Sequence, residues 1–236
     1  MAPDLKGRVA LVTGANRGIG FAVSRRLAQE GMRVILGSRD PDRGRNAAAR
    51  LRAEGLEVVA LQLDVTGQAS VDAAAAWTDA TYGRLDVLVN NAGIMPNKAP
   101  VLEATLEDAE AMWQVNALAP WRMCRALVPL MQRGGWGRIV NVSSEAGRFD
   151  RINAVATAYR VSKAALNAYT KSLAAALQDE SILVNAICPG WVASDMGGAD
   201  ATRTLEQGAG SVFWGVNLDD DGPTGGYFQD GTPMPW

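Results

Sequence analysis

The chain contains no histidine. The side chain most often used as a general base near neutral pH is therefore missing, and any proton chemistry falls to Tyr, Lys, Asp, Glu or Cys. Cysteine is scarce as well. Cys124 and Cys188 stand in apolar surroundings with no C-x-x-C or Cys/His spacing, which argues against a metal motif and predicts two buried free thiols, as suits a reducing cytosol. No apolar run is long enough to span a bilayer, and Met1 to Arg8 holds no apolar core of the signal-peptide kind. A cytoplasmic protein with no membrane association is expected. The net charge of -2 argues against a general nucleic-acid binder, although nineteen of the 23 cations are Arg and can form a local site for a small anion.

What is present is an ordinary globular composition. With 236 residues, 48% hydrophobic and 20% charged, the chain can bury roughly 70–75% of its unfolded surface. A single α/β domain over residues 1–236 is predicted, with no repeat or linker.

The first pattern with chemical content is a strand, a glycine turn and a helix. The apolar run Arg8 to Val12 leads into Thr13-Gly14-Ala15-Asn16-Arg17-Gly18-Ile19-Gly20, and helical spacing follows from Phe21 to Glu30. Glycines at such a turn accept positive φ and let a phosphate approach backbone N–H groups, while a helix N-terminus favours negative charge. A second strand, Arg33 to Ser38, ends in Ser38-Arg39. A dinucleotide site commonly has an acid near this point for the ribose 2′-OH, whereas a cation accommodates a 2′-phosphate. Arg39 and Arg17, facing one phosphate, predict NADP(H) in preference to NAD(H); as a plain surface charge Arg39 would say nothing. Asp40-Pro41 fits the cap and first position of the next helix.

The alternation continues. A helix over Pro41 to Glu54, a strand over Val58 to Leu63, a helix over Ser70 to Tyr82 and a strand over Leu85 to Val89 predict a parallel sheet covered on both faces, with ligands at the carboxyl ends of the strands. Asp64, with Val65 after it, stands at one such end, placed either to meet an adenine amino group or to cap a turn. Asn90-Asn91-Ala92-Gly93 ends another. From Thr105 to Gln132 a long helical stretch is interrupted by Pro120 and Pro129, which predicts a bend near Asn116. There Asn116 either helps bind water through freed carbonyls or is a satisfied interior amide. Strands over Arg138 to Val142 and Leu183 to Cys188, a helix over Leu205 to Val216 and a short strand from Gly226 to Phe228 complete the sheet.

Between these last elements, Tyr159-Arg160-Val161-Ser162-Lys163 opens a helix rich in small residues. Residues four apart share a helix face, so the Tyr159 phenol and the Lys163 ammonium lie one turn apart. A cation beside a phenol is expected to lower its pKa from about 10. Alone, Tyr-x-x-x-Lys is a weak signal.

Taken together, T-G-x-x-x-G-I-G at Thr13 to Gly20, Asp64, N-N-A-G, Asn116, Ser144, Tyr159-x-x-x-Lys163 and Pro189-Gly190 resemble the short-chain dehydrogenase/reductase family along nearly the whole chain, and the carbonyl-reductase-like branch in particular. The resemblance implies a doubly wound Rossmann-type fold, about seven strands in the order 3-2-1-4-5-6-7 with helices on both faces, and reversible NADP(H)-dependent reduction of ketones or aldehydes. Tyr159 would be the proton donor, Ser144 (or less favourably Ser143) the donor to the substrate oxygen, and Asn116 the holder of a relay water. Lys163 would bind the nicotinamide ribose and depress the Tyr159 pKa. Gly14, Asn16, Arg17, Gly18, Ile19, Gly20, Ser38, Arg39, Asp64, Val65, Asn91, Ala92, Gly93, Tyr159, Lys163, Pro189, Gly190, Val192 and Ser194 would contact the cofactor.

The substrate pocket is expected between the loop Glu145 to Ala158, the loop carrying Met95 and Pro96, and a lid over residues 191–203. Ser144, Glu145, Met95, Phe149, Trp191 and Met196 are its predicted lining. Some members of that branch carry a long insertion before the catalytic Tyr and are monomers. This chain lacks it, so a homodimer or homotetramer packed on Ala164, Ala165, Ala168, Leu173 and Ala176 is expected; the same alanines suit packing within one subunit. A non-catalytic NADP-binding redox sensor and an enone C=C reductase are the alternative activities.

Overall fold

A computed structural model of the chain describes residues 2–236. Its centre is one eight-stranded sheet in the order β3-β2-β1-β4-β5-β6-β7-β8. The strands are β1 (Val9–Val12), β2 (Arg33–Ser38), β3 (Val58–Gln62), β4 (Val87–Asn90), β5 (Gly137–Val142), β6 (Ile182–Ile187), β7 (Tyr227–Gln229) and β8 (Thr232–Pro233). The first seven run parallel in the predicted order. The eighth turns back antiparallel on β7, pairing Phe228 with Pro233.

Strand alternation sends successive side chains to opposite layers. Ala10 and Val12 of β1 face a core shared with α1 (Gly18–Gln29), α2 (Pro41–Ala53) and α7 (Leu205–Val216), whereas Val9 and Leu11 face one shared with α3 (Gln68–Tyr82), α5 (Ala119–Gly134) and α6 (Thr157–Ala176). Strands β1, β4, β5 and β6 are buried throughout. That is why they read as continuous apolar runs rather than alternating ones.

Helix ends follow the sequence cues. The Asp40 carboxylate accepts from the Asp42 and Arg43 N–H groups, with Pro41 as first helical residue, and Thr204 and Gln207 form a reciprocal capping box at α7. Where the prolines predict a bend, the structure has an irregular helical ladder. After α4 (Leu106–Met112) the chain takes a π-helical stretch, Trp113–Leu118, before α5 begins. Pro120 lies in the first turn of α5 and Pro129 inside it, so the irregularity is an inserted residue in the helical ladder, a form common at functional sites. No helix among the described residues is long and apolar enough to cross a membrane.

Candidate active site

The carboxyl ends of β1, β4, β5 and β6 open into a cleft of about 780 Å³. Its floor is built by Thr13. The Thr13 hydroxyl accepts from the Asn91 and Ala92 N–H groups, both at 3.0 Å, and the Asn91 amide donates back to the Thr13 and Gly14 carbonyls at 2.8 and 3.2 Å. This lashes the loop after β4 to the glycine turn. Gly14 has φ +62°, and a Cβ there would lie 3.0 Å from the Ala92 Cα; one on Gly20 would lie 2.8 Å from the Gly14 carbonyl oxygen. The turn is thus open only to glycine at two places, and α1 begins beneath it with no side-chain cap and no acidic residue in its first turn. Unclaimed N–H groups at a helix start suit a dinucleotide pyrophosphate.

Arg39 and Asp64 line the same cleft, with Val65, Asn16, Gly18 and Ile19. Asp64 accepts from the Thr66 N–H (2.9 Å) and hydroxyl (2.7 Å). Those two bonds, with a smaller contribution from Arg39, hold its carboxyl below the usual range against the effect of burial. The acid both caps its turn and lines the cleft. Ser38 does not. It is buried and its hydroxyl donates to the Asp40 carbonyl at 2.7 Å, because the last residue of β2 points toward α2 rather than toward the cleft. Arg17 lines the cleft but is ion-paired with Asp195 from the segment after β6. The side chains are 65% and 71% exposed, so the pair is readily exchanged for another anion.

Ser144, Tyr159 and Lys163 converge at the centre. Ser144 follows β5 and is hydrogen-bonded to the Tyr159 phenol. Ser143 is buried and bound to Asn167 at 2.5 Å, which leaves Ser144 as the hydroxyl at the phenol. The expected electrostatics differ in direction. Burial pushes the Tyr159 phenol up to about 12, opposed by the Ser144 bond and reinforced by Cys188. Lys163, 4% exposed, donates to the Val142 carbonyl at 2.8 Å, with its Nζ 5.8 Å from the Tyr159 ring centroid. Burial lowers its own pKa to about 8. The i to i+4 spacing puts both residues on one face, but the ammonium turns toward the end of β5 and desolvation governs both groups.

Asn116 lies behind this group rather than in the cleft lining. Its amide donates to the Ile94 carbonyl (2.9 Å) and the Ser162 hydroxyl (3.0 Å) and accepts from the Ile94 N–H (2.8 Å). Both donors are used, so the side chain is the satisfied interior amide and splints the loop after β4 to α6.

The remaining wall comes from three segments. Pro189, Gly190, Trp191, Val192, Ser194 and Met196 line the cleft after β6, held by the Val192 to Arg203 bridge and the Arg203–Asp230 ion pair at 2.6 Å. Met95 lines it from the loop after β4 and Glu145 from the loop before α6. Phe149 does not, being 73% exposed. The segment folds into two 3₁₀ turns, Glu145–Gly147 and Phe149–Arg151, and the second turns Phe149 outward while the Phe149 N–H donates to the Trp236 carbonyl.

In its place the cleft is lined by Lys98, Arg151, Asn153, Val155, Ala156 and Arg160. None of these was singled out from the sequence as pocket lining. Arg160 carried a positional signal, sitting inside the Tyr159 to Lys163 segment. Its guanidinium donates to the Val155 and Arg151 carbonyls at 2.7 and 2.9 Å, clamping the loop. Cys188 also lines the cleft as a buried free thiol.

The family model described as short chain dehydrogenase matches residues 8–204. The (+)-neomenthol dehydrogenase of Arabidopsis thaliana is 35% identical over 94% of this chain and 96% of its own length. Mouse carbonyl reductase [NADPH] 1 is 34% identical over 97% of this chain and 98% of its own. The NADPH-bound carbonyl reductase from chicken fatty liver superposes with a TM-score of 0.88 at 31% identity, covering 98% of this chain and 100% of that one. With the glycine turn, the Ser144/Tyr159/Lys163 cluster and the sheet order, these likenesses lead to one conclusion: the chain belongs to the short-chain dehydrogenase family.

Proposed function

We propose that the protein is an NADP(H)-dependent oxidoreductase that reduces ketone and aldehyde carbonyls to alcohols and runs in reverse toward secondary alcohols. The observation that carries this reading is the convergence of Ser144, Tyr159 and Lys163 beside a cleft whose other end holds the glycine turn and Arg39. The relatives named for NADPH-dependent carbonyl reduction support it. The residues present fit a phosphorylated dinucleotide: a glycine cradle that leaves no room for a side chain at Gly14 and Gly20, free N–H groups at the start of α1, and Arg39 and Arg17 in the cleft lining as cations for the added phosphate. Gly14, Asn16, Gly18, Ile19, Gly20, Asp64, Val65, Asn91, Ala92 and Gly93 would hold one half, and Pro189, Gly190, Val192 and Ser194 the nicotinamide half. When bound, the nicotinamide supplies or accepts the hydride.

The chain's own residues do the rest. Ser144 donates to the substrate oxygen and fixes the carbonyl beside the phenol. Tyr159, protonated at neutral pH with its pKa up at about 12, gives its proton to the oxygen as negative charge develops there. Lys163, its ammonium 5.8 Å from the Tyr159 ring centroid, holds a buried positive charge that favours the phenolate formed, and it would also bind the nicotinamide ribose. Pro120 has no N–H to give the Asn116 carbonyl four residues earlier. That carbonyl is the group suited to hold a water that returns a proton to Tyr159 by way of Lys163.

The protein is read further as a homodimer or homotetramer of the cytoplasm. Leu102, Leu106, Trp113, Trp121 and Val161 are large, apolar and exposed on and beside α4, the π-helical stretch, α5 and α6, a patch of the kind that marks an interface. Of the predicted alanine face, Ala168 and Ala176 are exposed and Ala164 and Ala165 half-buried.

The decisive test follows NADPH and NADH loss with a panel of aryl ketones, diketones, cyclic ketones, enones and aldehydes, and identifies the product. NADPH consumption yielding an alcohol is expected. Saturation of an enone with its carbonyl intact would overturn the reading in favour of C=C reduction, and tight NADPH binding with no turnover across the panel would favour the sensor.

A further inference from the structure

The wall of the cleft nearest Tyr159 is made from two distant loops zipped together. The Ala156 N–H donates to the Ala99 carbonyl and the Val101 N–H to the Ala154 carbonyl, around a bridge between Pro100 and Val155. That pairing sets Lys98 alongside the start of α6, two residues before Tyr159. Arg160 clamps the other side by donating to the Arg151 and Val155 carbonyls. Lys98, Arg151 and Arg160 therefore line the cleft together, with Asn153 as a neutral neighbour.

The acids of the same wall are already engaged. Glu145 and Asp150 both face Arg148, at 3.9 and 2.6 Å, and Asp195 is paired with Arg17. The Arg151 charge is felt at Asp150 through space, but among the described residues neither the Lys98 nor the Arg151 side chain has an ion pair or hydrogen bond of its own. Two such cations held on facing loops at the mouth of a cleft are positioned to receive an anion, and an ion pair with a planar carboxylate suits the Arg151 guanidinium well.

We propose that the natural carbonyl substrate carries an anionic group, a carboxylate or its equivalent, received by Lys98 and Arg151 while its carbonyl lies at Ser144 and Tyr159. This rests on the reductase reading above and adds the substrate's charge class to it. No additional reactant is required: the hydride goes to the carbonyl carbon, the Tyr159 proton to its oxygen, and the anionic group is unchanged.

The test compares 3- and 4-carboxybenzaldehyde with their methyl esters, pairs that differ in charge on the same ring. At low ionic strength the carboxylates are expected to exceed the esters in kcat/KM by about tenfold or more, carried by KM, as charge-assisted contacts of this kind provide. The advantage should shrink in about 0.5 M sodium chloride, where screening extends only a few ångströms. In the Lys98→Gln/Arg151→Gln double variant the ratio should fall to within about twofold of unity, whereas Arg151→Lys should keep most of it. Esters reduced as well as carboxylates by the unaltered protein, or a ratio untouched in the double variant, would overturn the proposal. Should no aldehyde be reduced at all, the reductase reading fails separately. Calorimetric binding of the same pairs to the protein with NADPH then decides the charge preference: tighter carboxylate binding that is lost in the double variant upholds it, and equal binding or none refutes it.

Discussion

At Tyr159 and Lys163 burial outweighs proximity. A phenol pushed up to about 12 keeps its proton through neutral pH, the form needed to reduce a carbonyl. Burial lowers Lys163 to about 8, so half of its charge is gone near that pH. Reduction rates should accordingly be highest below neutral pH and fall through about pH 8 as the buried ammonium is lost. A pH profile of kcat checks this, and a Lys163→Met variant should show a low, flat profile over the same range. Tyr159→Phe is expected to lower turnover by about 10²–10⁴-fold, the usual contribution of general acid catalysis, while leaving the NADPH dissociation constant nearly unchanged; near-normal turnover would remove the phenol from its role. Arg39→Ser should weaken NADPH by about 10–100-fold and NADH little, since only NADPH carries the 2′-phosphate. Titration of protein fluorescence with each cofactor separates the two.

The elements show where pattern reading succeeds and where it stops. β2 and α7 begin and end where their apolar pattern and capping residues place them. An irregularity near Asn116 was legible from Pro120, but its π-helical form was not: there the Asn116 amide is bound to Ile94 and Ser162 in two other segments. Asn116→Ala strands the half-buried Ile94 N–H and carbonyl. A loss of about 1–3 kcal/mol is expected, read from the urea midpoint, together with a loss of turnover as the loop after β4 loosens. β8 escaped notice because two residues including a proline carry no strand signal; Gly231, at φ +80°, and the adjoining Asp230, at φ +51°, turn it back. Ala156 caps α6 at φ +54°, left-handed backbone that disfavours β-branched residues. Ala156→Val should therefore cost about 1–2 kcal/mol and raise KM for the substrate, whereas Ala156→Gly should stay within about 1 kcal/mol of the parent protein.

On the scale of the whole molecule the two ends of the sheet have different tasks. The carboxyl ends hold the cleft. At the opposite end the buried Arg138 donates to the Gly137 and Leu218 carbonyls and to Asp220, and its guanidinium and that of Arg8 lie 4.2 and 3.6 Å from the Trp136 ring centroid. Hydrogen bonds from Trp136 first, and then Arg138, hold the Asp220 carboxyl below its usual range. A carboxyl with a depressed folded pKa contributes stability above its unfolded value and loses it as pH falls through the folded one. Asp220→Asn should destabilise the protein at neutral pH by about 1–2 kcal/mol, less than a fully buried pair because Asp220 is 70% exposed. The gap in unfolding midpoint should close below the carboxylate range. Trp121→Asp, on the exposed apolar face, should convert an oligomer to monomer by light scattering; a monomeric parent protein would remove the oligomer from the reading.

The succession of elements from β1 to β7, the glycine turn and the Tyr159-to-Lys163 spacing were legible in the sequence itself, because backbone period and short-range spacing are local properties, whereas Ser144 was reached only through the family resemblance. Tertiary structure alone decided that Ser38 faces α2, that Phe149 turns outward, that Lys163 reaches the Val142 carbonyl, and that Lys98 and Arg151 share a wall. Each depends on where a loop or side chain meets an element far away in the chain, which no local period records.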